Sequence, residues 1–201
     1  MNALVIALAA VVGYLVGAVS PAALLARSRH IDLKGLGSGN PGATNVGRVL
    51  GVRWGVLVAL LDVAKGFVPA LGFSLVNADA GLVAGAAAVI GHVSSPFLRG
   101  RGGKGVATAF GAVLGVAPFW GLGLLVVFAV VVALSRWIAL ASMTTAVALV
   151  VISLVTDADL AHQVWAAFLA VVILVRHRTN VIARWRAWRV YGDEGAGGPT
   201  V

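Results

Sequence analysis

Two glycine-rich stretches bring together residue types suited to binding an anion. Residues 98–108 read LRGRGGKGVAT, three cations and four glycines directly ahead of an apolar run. Residues 32–48 read DLKGLGSGNPGATNVGR, in which Ser38, Asn40, Thr44, Asn45 and Arg48 lie among five glycines. Both compositions suit phosphate capture, because glycine lets the backbone come close and N–H groups turn toward the ligand. Lys104 also stands just before a run whose helical N-terminus adds partial positive charge. The 98–108 stretch is not a Walker A loop: Leu98 occupies the first glycine position, and Gly105 rather than Ser or Thr follows Lys104. Gly100, Gly102 and Gly105 do fit GxGxxG, but no strand precedes them, which excludes a dinucleotide-binding unit. The plain alternative for 32–48 is a solvated turn. Positive anchoring at the membrane explains Arg99 and Arg101 but not the glycines beside them.

Two other segments carry candidate chemistry. In RHRTNVIAR, residues 176–184, His177 and Asn180 are three apart and share one face of a helix. His177 is a candidate general base, the alternative being an interfacial polar residue. In SRWIALASM, residues 135–143, Arg136 reads as an anchor and Ser142 as a hydroxyl that satisfies a backbone carbonyl. Asp62 and Lys65, at i and i+3 inside an apolar run, are expected to form a structural ion pair beside the site, since a lone charge in lipid is costly. His30, His92 and His162 have no ligand spacing with Asp or Glu, so no metal site is expected. The chain has no cysteine, which excludes disulfides and thiolate chemistry.

The elements that must position these residues are membrane helices. Hydrophobic residues make up 60% of the 201, charged residues 11%, and the mean hydropathy is +1.00, too apolar for a soluble domain. The intervals between charged clusters predict seven spans: 3–25, 54–76, 80–97, 106–117, 118–134, 137–155 and 160–175. No cation precedes the first run, so it is read as a span rather than a cleaved signal peptide. Pro118 breaks 106–134 in two because proline cannot donate a helical hydrogen bond. With the N-terminus outside and the C-terminus in the cytoplasm, every Lys and Arg except Lys65 falls on the cytoplasmic side. Fusing 106–134 into one span would put Arg136 and the arginines from Arg176 onward on the side opposite the first two basic loops. The net charge of +8 therefore reports orientation rather than nucleic-acid binding. Residues 1–191 read as a single membrane-embedded domain, and the glycine-rich 192–201 as a flexible tail.

Gathered on one side, the loops form a positive surface at the bilayer boundary with hydroxyls and an imidazole at hand. That fits an enzyme joining a phosphorylated polar molecule to a lipid-soluble one. An anion transporter or binding protein is the competing class, and a transporter needs polar residues along a path across the bilayer. The last three spans are nearly all Ala, Val, Leu and Gly inside, which favours the enzyme.

The segments GSGNPGATNVGR, GH with FLRGRGGKGVAT, and RHRTNVIAR closely resemble the three motifs of the bacterial acyl-phosphate-dependent glycerol-3-phosphate acyltransferases, the PlsY family. The resemblance runs from the first span to about Arg184 and includes DVAKG at 62–66. It implies an all-α polytopic membrane enzyme of seven helices that moves a fatty acyl group from acyl phosphate to the 1-hydroxyl of sn-glycerol 3-phosphate, giving lysophosphatidic acid and phosphate. It implies catalytic roles for Ser38, Arg48, Lys104, His177 and Asn180, and substrate binding by Asn40, Thr44, Asn45, Gly102, Gly103, Gly105 and Ser142. It further implies the two substrates and membrane lipid as partners, no cofactor, no nucleic acid and no obligate protein partner. The expected place is the bacterial cytoplasmic (inner) membrane with the site on its cytoplasmic face. Like the family, the chain lacks the HxxxxD motif of acyl-CoA-dependent membrane acyltransferases. It departs from the family pattern where Ser95 stands in place of a proline, Gly100 in place of an aromatic and Arg101 in place of a lysine. The third motif's downstream glutamate has no match at the usual distance; Glu194 lies further on.

Overall fold

A computed structural model describes residues 2–191; the tail expected over 192–201 lies outside the described residues. The described chain is all-helical. Six stretches are long and apolar enough to cross a membrane, and a seventh apolar helix is much shorter.

The first span is two helices, α1 (Asn2–Ala18) and α2 (Pro21–Ser28), broken at Val19 and Ser20. Pro21 has no N–H to continue the ladder, and the Ser20 hydroxyl caps α2 by accepting from the Ala23 amide at 3.2 Å. The break frees two carbonyls, and both are answered from elsewhere in the bundle, one from the helix Val52–Ser74 and one from the residue ahead of the 3₁₀ turn Pro96–Leu98. Lys65 Nζ donates to Val19 O at 2.8 Å, and Ser95 Oγ donates to Ala18 O at 2.6 Å. Ser95 therefore has a packing role: it is 1% exposed and ties the start of the second glycine loop to the first span.

Next come the short α3 (Ala43–Leu50) and α4 (Val52–Ser74), hinged at Gly51 with a φ of 97°. Then follow α5 (Ala78–Val93), a single 3₁₀ turn Pro96–Leu98, α6 (Val106–Val116), α7 (Pro118–Ser135), α8 (Ile138–Val155) and α9 (Leu160–Tyr191). The break at Pro118 is as expected from its chemistry. The 11 residues of α6 cover roughly 16 Å, about half of a hydrocarbon core. α9 does not stop at residue 175 but runs on for 32 residues in all, carrying His177 and Asn180 on the same helix as the last span.

Leucines and valines such as Leu60, Val68, Val126 and Val171 are more than half exposed on the outer faces, as expected where lipid is the solvent. Inside, Val89, Val113, Leu149, Trp165 and Leu169 form the main apolar cluster, bringing α5, α6, α8 and α9 together. Small residues set the closest crossings. A Cβ on Gly66 of α4 would land on Thr108 O of α6, and one on Gly111 of α6 would land on Val63 O. Gly66→Ala must push α6 away, and the expected cost is about 1–3 kcal/mol of overpacking, read as a lower Tm in detergent. An unchanged Tm would mean that the α4–α6 contact is slack.

Candidate functional site

A cavity of about 480 Å³ lies between the loops and the helices they join. α3 and α6 deliver backbone to its polar end. Gly42, Ala43 and Thr44, at the start of α3, line it, and no side chain caps that helix. Lys104, Gly105, Val106 and Ala107, at the start of α6, line it too, and Gly105 caps that helix without a side chain, at φ 85°. Two uncapped helix N-termini, each with orphan N–H groups and partial positive charge, thus face one space. Arg48, from the last turn of α3, and Lys104 add full charges.

The cavity changes character along two helices. On α6 its lining passes from Val106 through Ala109 and Phe110 to Val113; on α8 it passes from Ile138 and Ser142 through Thr145 and Ala146 to Leu149. Leu124, Leu125 and Phe128 of α7 close the apolar end. From Ile138 to Leu149 the lining extends roughly 16 Å, at the helical rise of 1.5 Å per residue.

Of the twelve expected site residues, Ser38, Asn40, Thr44, Arg48, Lys104, Gly105, Ser142, His177 and Asn180 line this cavity. α9 and the second glycine loop meet at Lys104, whose Nζ donates to Asn180 Oδ1. Partial burial, reinforced by Arg48 and Arg176, pushes the Lys104 ammonium below the usual lysine range. His177 is 3% exposed, and its Nδ1 sits 2.8 Å from Ile173 O. A carbonyl can only accept, so Nδ1 carries a proton, and in the neutral imidazole Nε2 keeps its lone pair. Ser142 Oγ donates to Ile138 O at 2.9 Å, the bond expected of a helical serine, and its remaining capacity is as an acceptor.

Asn45, Gly102 and Gly103 are turned elsewhere. Asn45 is 1% exposed and holds the first loop together: its Oδ1 accepts from the Ser38 amide at 2.7 Å, and its Nδ2 donates to Leu36 O at 3.1 Å and Leu33 O at 3.4 Å. It positions Ser38 rather than facing a ligand. The Gly102 amide donates to Val93 O and the Gly103 amide to His92 O, each at 3.2 Å. Those N–H groups are not free for an anion; Gly105, Val106 and Ala107, at the start of α6, line the cavity in their place.

Sequence reasoning missed Arg136, Asp62 and His92 as lining residues. Arg136, taken as an anchor, sits at the α7–α8 junction with a φ of 52°, which bends the chain there and brings it to the cavity. The expected Asp62–Lys65 pair is present at 2.9 Å, with His92 Nδ1 at 3.5 Å from the same carboxylate oxygen. The pairing of Asp62 was legible as i, i+3 spacing; its access to the cavity was not. Among the described residues, no three His, Asp or Glu side chains gather as a metal site.

A family model described as glycerol-3-phosphate acyltransferase matches residues 7–187, spanning both glycine loops and the His177 segment. The chain belongs to this family. Among its relatives, the glycerol-3-phosphate acyltransferase of Geobacter sulfurreducens is 42% identical over 172 residues, covering 85% of this chain and 89% of the relative. Glycerol-3-phosphate acyltransferase 1 of Deinococcus radiodurans is 40% identical over 179 residues, with 87% and 89% covered. The crystal structure of PlsY, an integral membrane glycerol 3-phosphate acyltransferase, in its glycerol 3-phosphate form superposes with a TM-score of 0.87 at 34% identity, covering 90% of this chain and 92% of that one. The lysophosphatidic acid form of PlsY superposes with a TM-score of 0.84. The chain is thus an all-α integral membrane glycerol-3-phosphate acyltransferase.

Proposed function

We propose that this enzyme takes its acyl group from acyl phosphate and delivers it to the 1-hydroxyl of sn-glycerol 3-phosphate, releasing lysophosphatidic acid and phosphate. The observation that carries the reading is the pair of uncapped helix N-termini, with Arg48 and Lys104, facing one cavity whose other end is apolar. Donor and acceptor each bring a phosphate, and two dianions brought together repel unless fixed positive charge lies between and around them. Arg48 with the start of α3, and Lys104 with the start of α6, supply that charge in place, so positioning and electrostatic screening are the main catalytic contribution. Ser38, Asn40 and Thr44 add hydroxyl and amide contacts at the α3 end. Asn180 orients the Lys104 ammonium, and Ser142 Oγ, whose proton goes to Ile138 O, is left to accept from a glycerol 3-phosphate hydroxyl where the apolar groove begins. The acyl tail lies along that groove between α6, α7 and α8.

The donor is a mixed anhydride. The glycerol 3-phosphate hydroxyl oxygen bonds to the acyl carbon, the acyl-to-phosphate C–O bond breaks, and the electron pair leaves with inorganic phosphate. No covalent enzyme intermediate is required. We assign the hydroxyl proton to His177 Nε2, which the Nδ1 contact with Ile173 O leaves as an acceptor. His177→Gln is then expected to lower kcat at least about 10²-fold at every pH. A loss under tenfold in steady-state assays would assign the proton to a substrate phosphate oxygen instead.

The reading also places seven spans in a cytoplasmic membrane, with α6 as the short member, the N-terminus outside and the site on the cytoplasmic face. The one-sided distribution of Lys and Arg supports this. Because the chain lacks cysteine, single-cysteine labelling tests it directly. Arg101→Cys should react only from the cytoplasmic side and Asp157→Cys only from outside; the same sidedness for both would leave α6 short of crossing.

The deciding experiment is acyl transfer by the purified protein in lipid, with glycerol 3-phosphate and either palmitoyl phosphate or palmitoyl-CoA. Product with palmitoyl phosphate alone is expected. Product with palmitoyl-CoA alone would overturn the donor, and product with neither in a folded sample would move a phosphate-binding or transport role to the front.

A further inference from the structure

Behind Lys104, the second glycine loop is held from both sides. From α5, the carbonyls of His92 and Val93 accept the Gly103 and Gly102 amides at 3.2 Å each. From α9, Arg176 Nη2 donates to Gly102 O at 2.7 Å and Arg176 Nε to Gly103 O at 3.2 Å. One guanidinium therefore binds two consecutive carbonyls through its planar fork, which a point-charge ammonium cannot reproduce. Among the described residues Arg176 pairs with no carboxylate. One turn further along α9, Asn180 takes the Lys104 ammonium. A single helix thus fixes Gly102, Gly103 and Lys104 in order.

The geometry points to Arg176 as a positioning residue for the reaction, one that sets where Lys104 and the start of α6 stand without itself lining the cavity. Without the fork the two carbonyls lose their α9 partner, so the backbone from Gly102 to Gly105 is tethered only to α5 and α9 holds the segment through the Lys104 side chain alone. Lys104 can then follow the loop away from Asn180, and the phosphate it faces is held in a displaced or weakened site. Misplacement on the ångström scale costs transition-state stabilisation well beyond what it costs the fold. Lysine at 176 keeps the charge but not the two-pronged geometry, so it separates field from position.

This inference rests on the proposed acyl transfer, and the wild-type enzyme tests that independently: if it makes no product, the reaction has failed rather than the role of Arg176. With an active wild type, kcat and KM for glycerol 3-phosphate and palmitoyl phosphate are measured for Arg176→Lys and Arg176→Ala, with Tm in the same detergent. Arg176→Lys is expected to lose about 30-fold in kcat/KM with Tm unchanged, consistent with misplacement effects that reach 10²-fold. Arg176→Ala is expected to lose more and to regain activity when methylguanidinium is added, which a globally weakened fold would not do. Full activity of Arg176→Lys, or loss in Arg176→Ala that tracks a fallen Tm and ignores methylguanidinium, would overturn the proposal. Should Arg176→Ala fail to fold, Arg176→Lys alone decides.

Discussion

Lys104→Met is expected to reduce kcat/KM about 10³-fold or more while the protein stays folded. Lys104 lies at the start of α6, beside the orphan amides, and is oriented by a partner on another helix. Removing one preorganised donor from a site that stabilises developing charge costs about 10²–10³ in rate, and in the proposed reaction a full charge between two anions goes with it. Methionine keeps the unbranched stem, so packing against the loop changes little.

The lysine's environment gives the prediction a second signature. Burial, with Arg48 and Arg176 nearby, holds its folded pKa below the ordinary lysine value of 10.5. Below the folded pKa, therefore, the folded state carries an ammonium it disfavours relative to the unfolded chain. That cost is relieved as pH rises from the folded pKa toward 10.5, where the unfolded state binds more protons. Wild-type Tm should gain on the Lys104→Met variant across that alkaline window, and activity should decline through the same lowered pKa as the ammonium is lost. Parallel Tm profiles for the two proteins would mean that the lysine titrates as an ordinary surface group.

Gly102→Ala is expected to cost about 10²-fold in kcat/KM, more than Gly103→Ala. The two glycines look equivalent as sequence, but a Cβ at 102 would fall on His92 O, with backbone carbon of Val93 at 2.9 Å, and neither can swing aside. A Cβ at 103 would instead meet the imidazole of His92, a side chain that can give way, though at the expense of its contact with Asp62. The loop must move in the first variant and can hold in the second. Lys104 is two residues from position 102, so that movement reaches the ammonium directly, with ångström-scale misplacement costing up to about 10²-fold. Steady-state assays of both variants beside Tm check the ranking; equal and small losses would show that the loop adjusts without displacing Lys104.

Much was legible before any coordinates. The apolar runs bounded by charge marked the six long membrane-length stretches and the shorter α6, and Pro118 marked the break before α7. The two glycine loops and the His177 and Asn180 pair pointed to segments that the structure brings to one cavity, because local composition decides where backbone can approach an anion and which side chains share a helix face. The Asp62–Lys65 pair followed from i, i+3 spacing and the cost of a lone charge in lipid.

What tertiary structure decided was the direction in which each group of a motif points. Ser38 and Asn45 belong to one motif, yet Ser38 lines the cavity while Asn45 is turned inward to hold the loop. Gly102 and Gly103 read as phosphate-binding amides, but α5 had already taken those amides, through contacts set by how α5 packs beside α6. Arg176 read as one more cation at a membrane boundary, and its two acceptors lie 74 and 73 residues away. Residue type and short spacing specify what a group can bond to within a turn or a loop. Which partner it meets from a distant helix depends on where small residues let those helices close up, and that is settled only when the whole bundle packs.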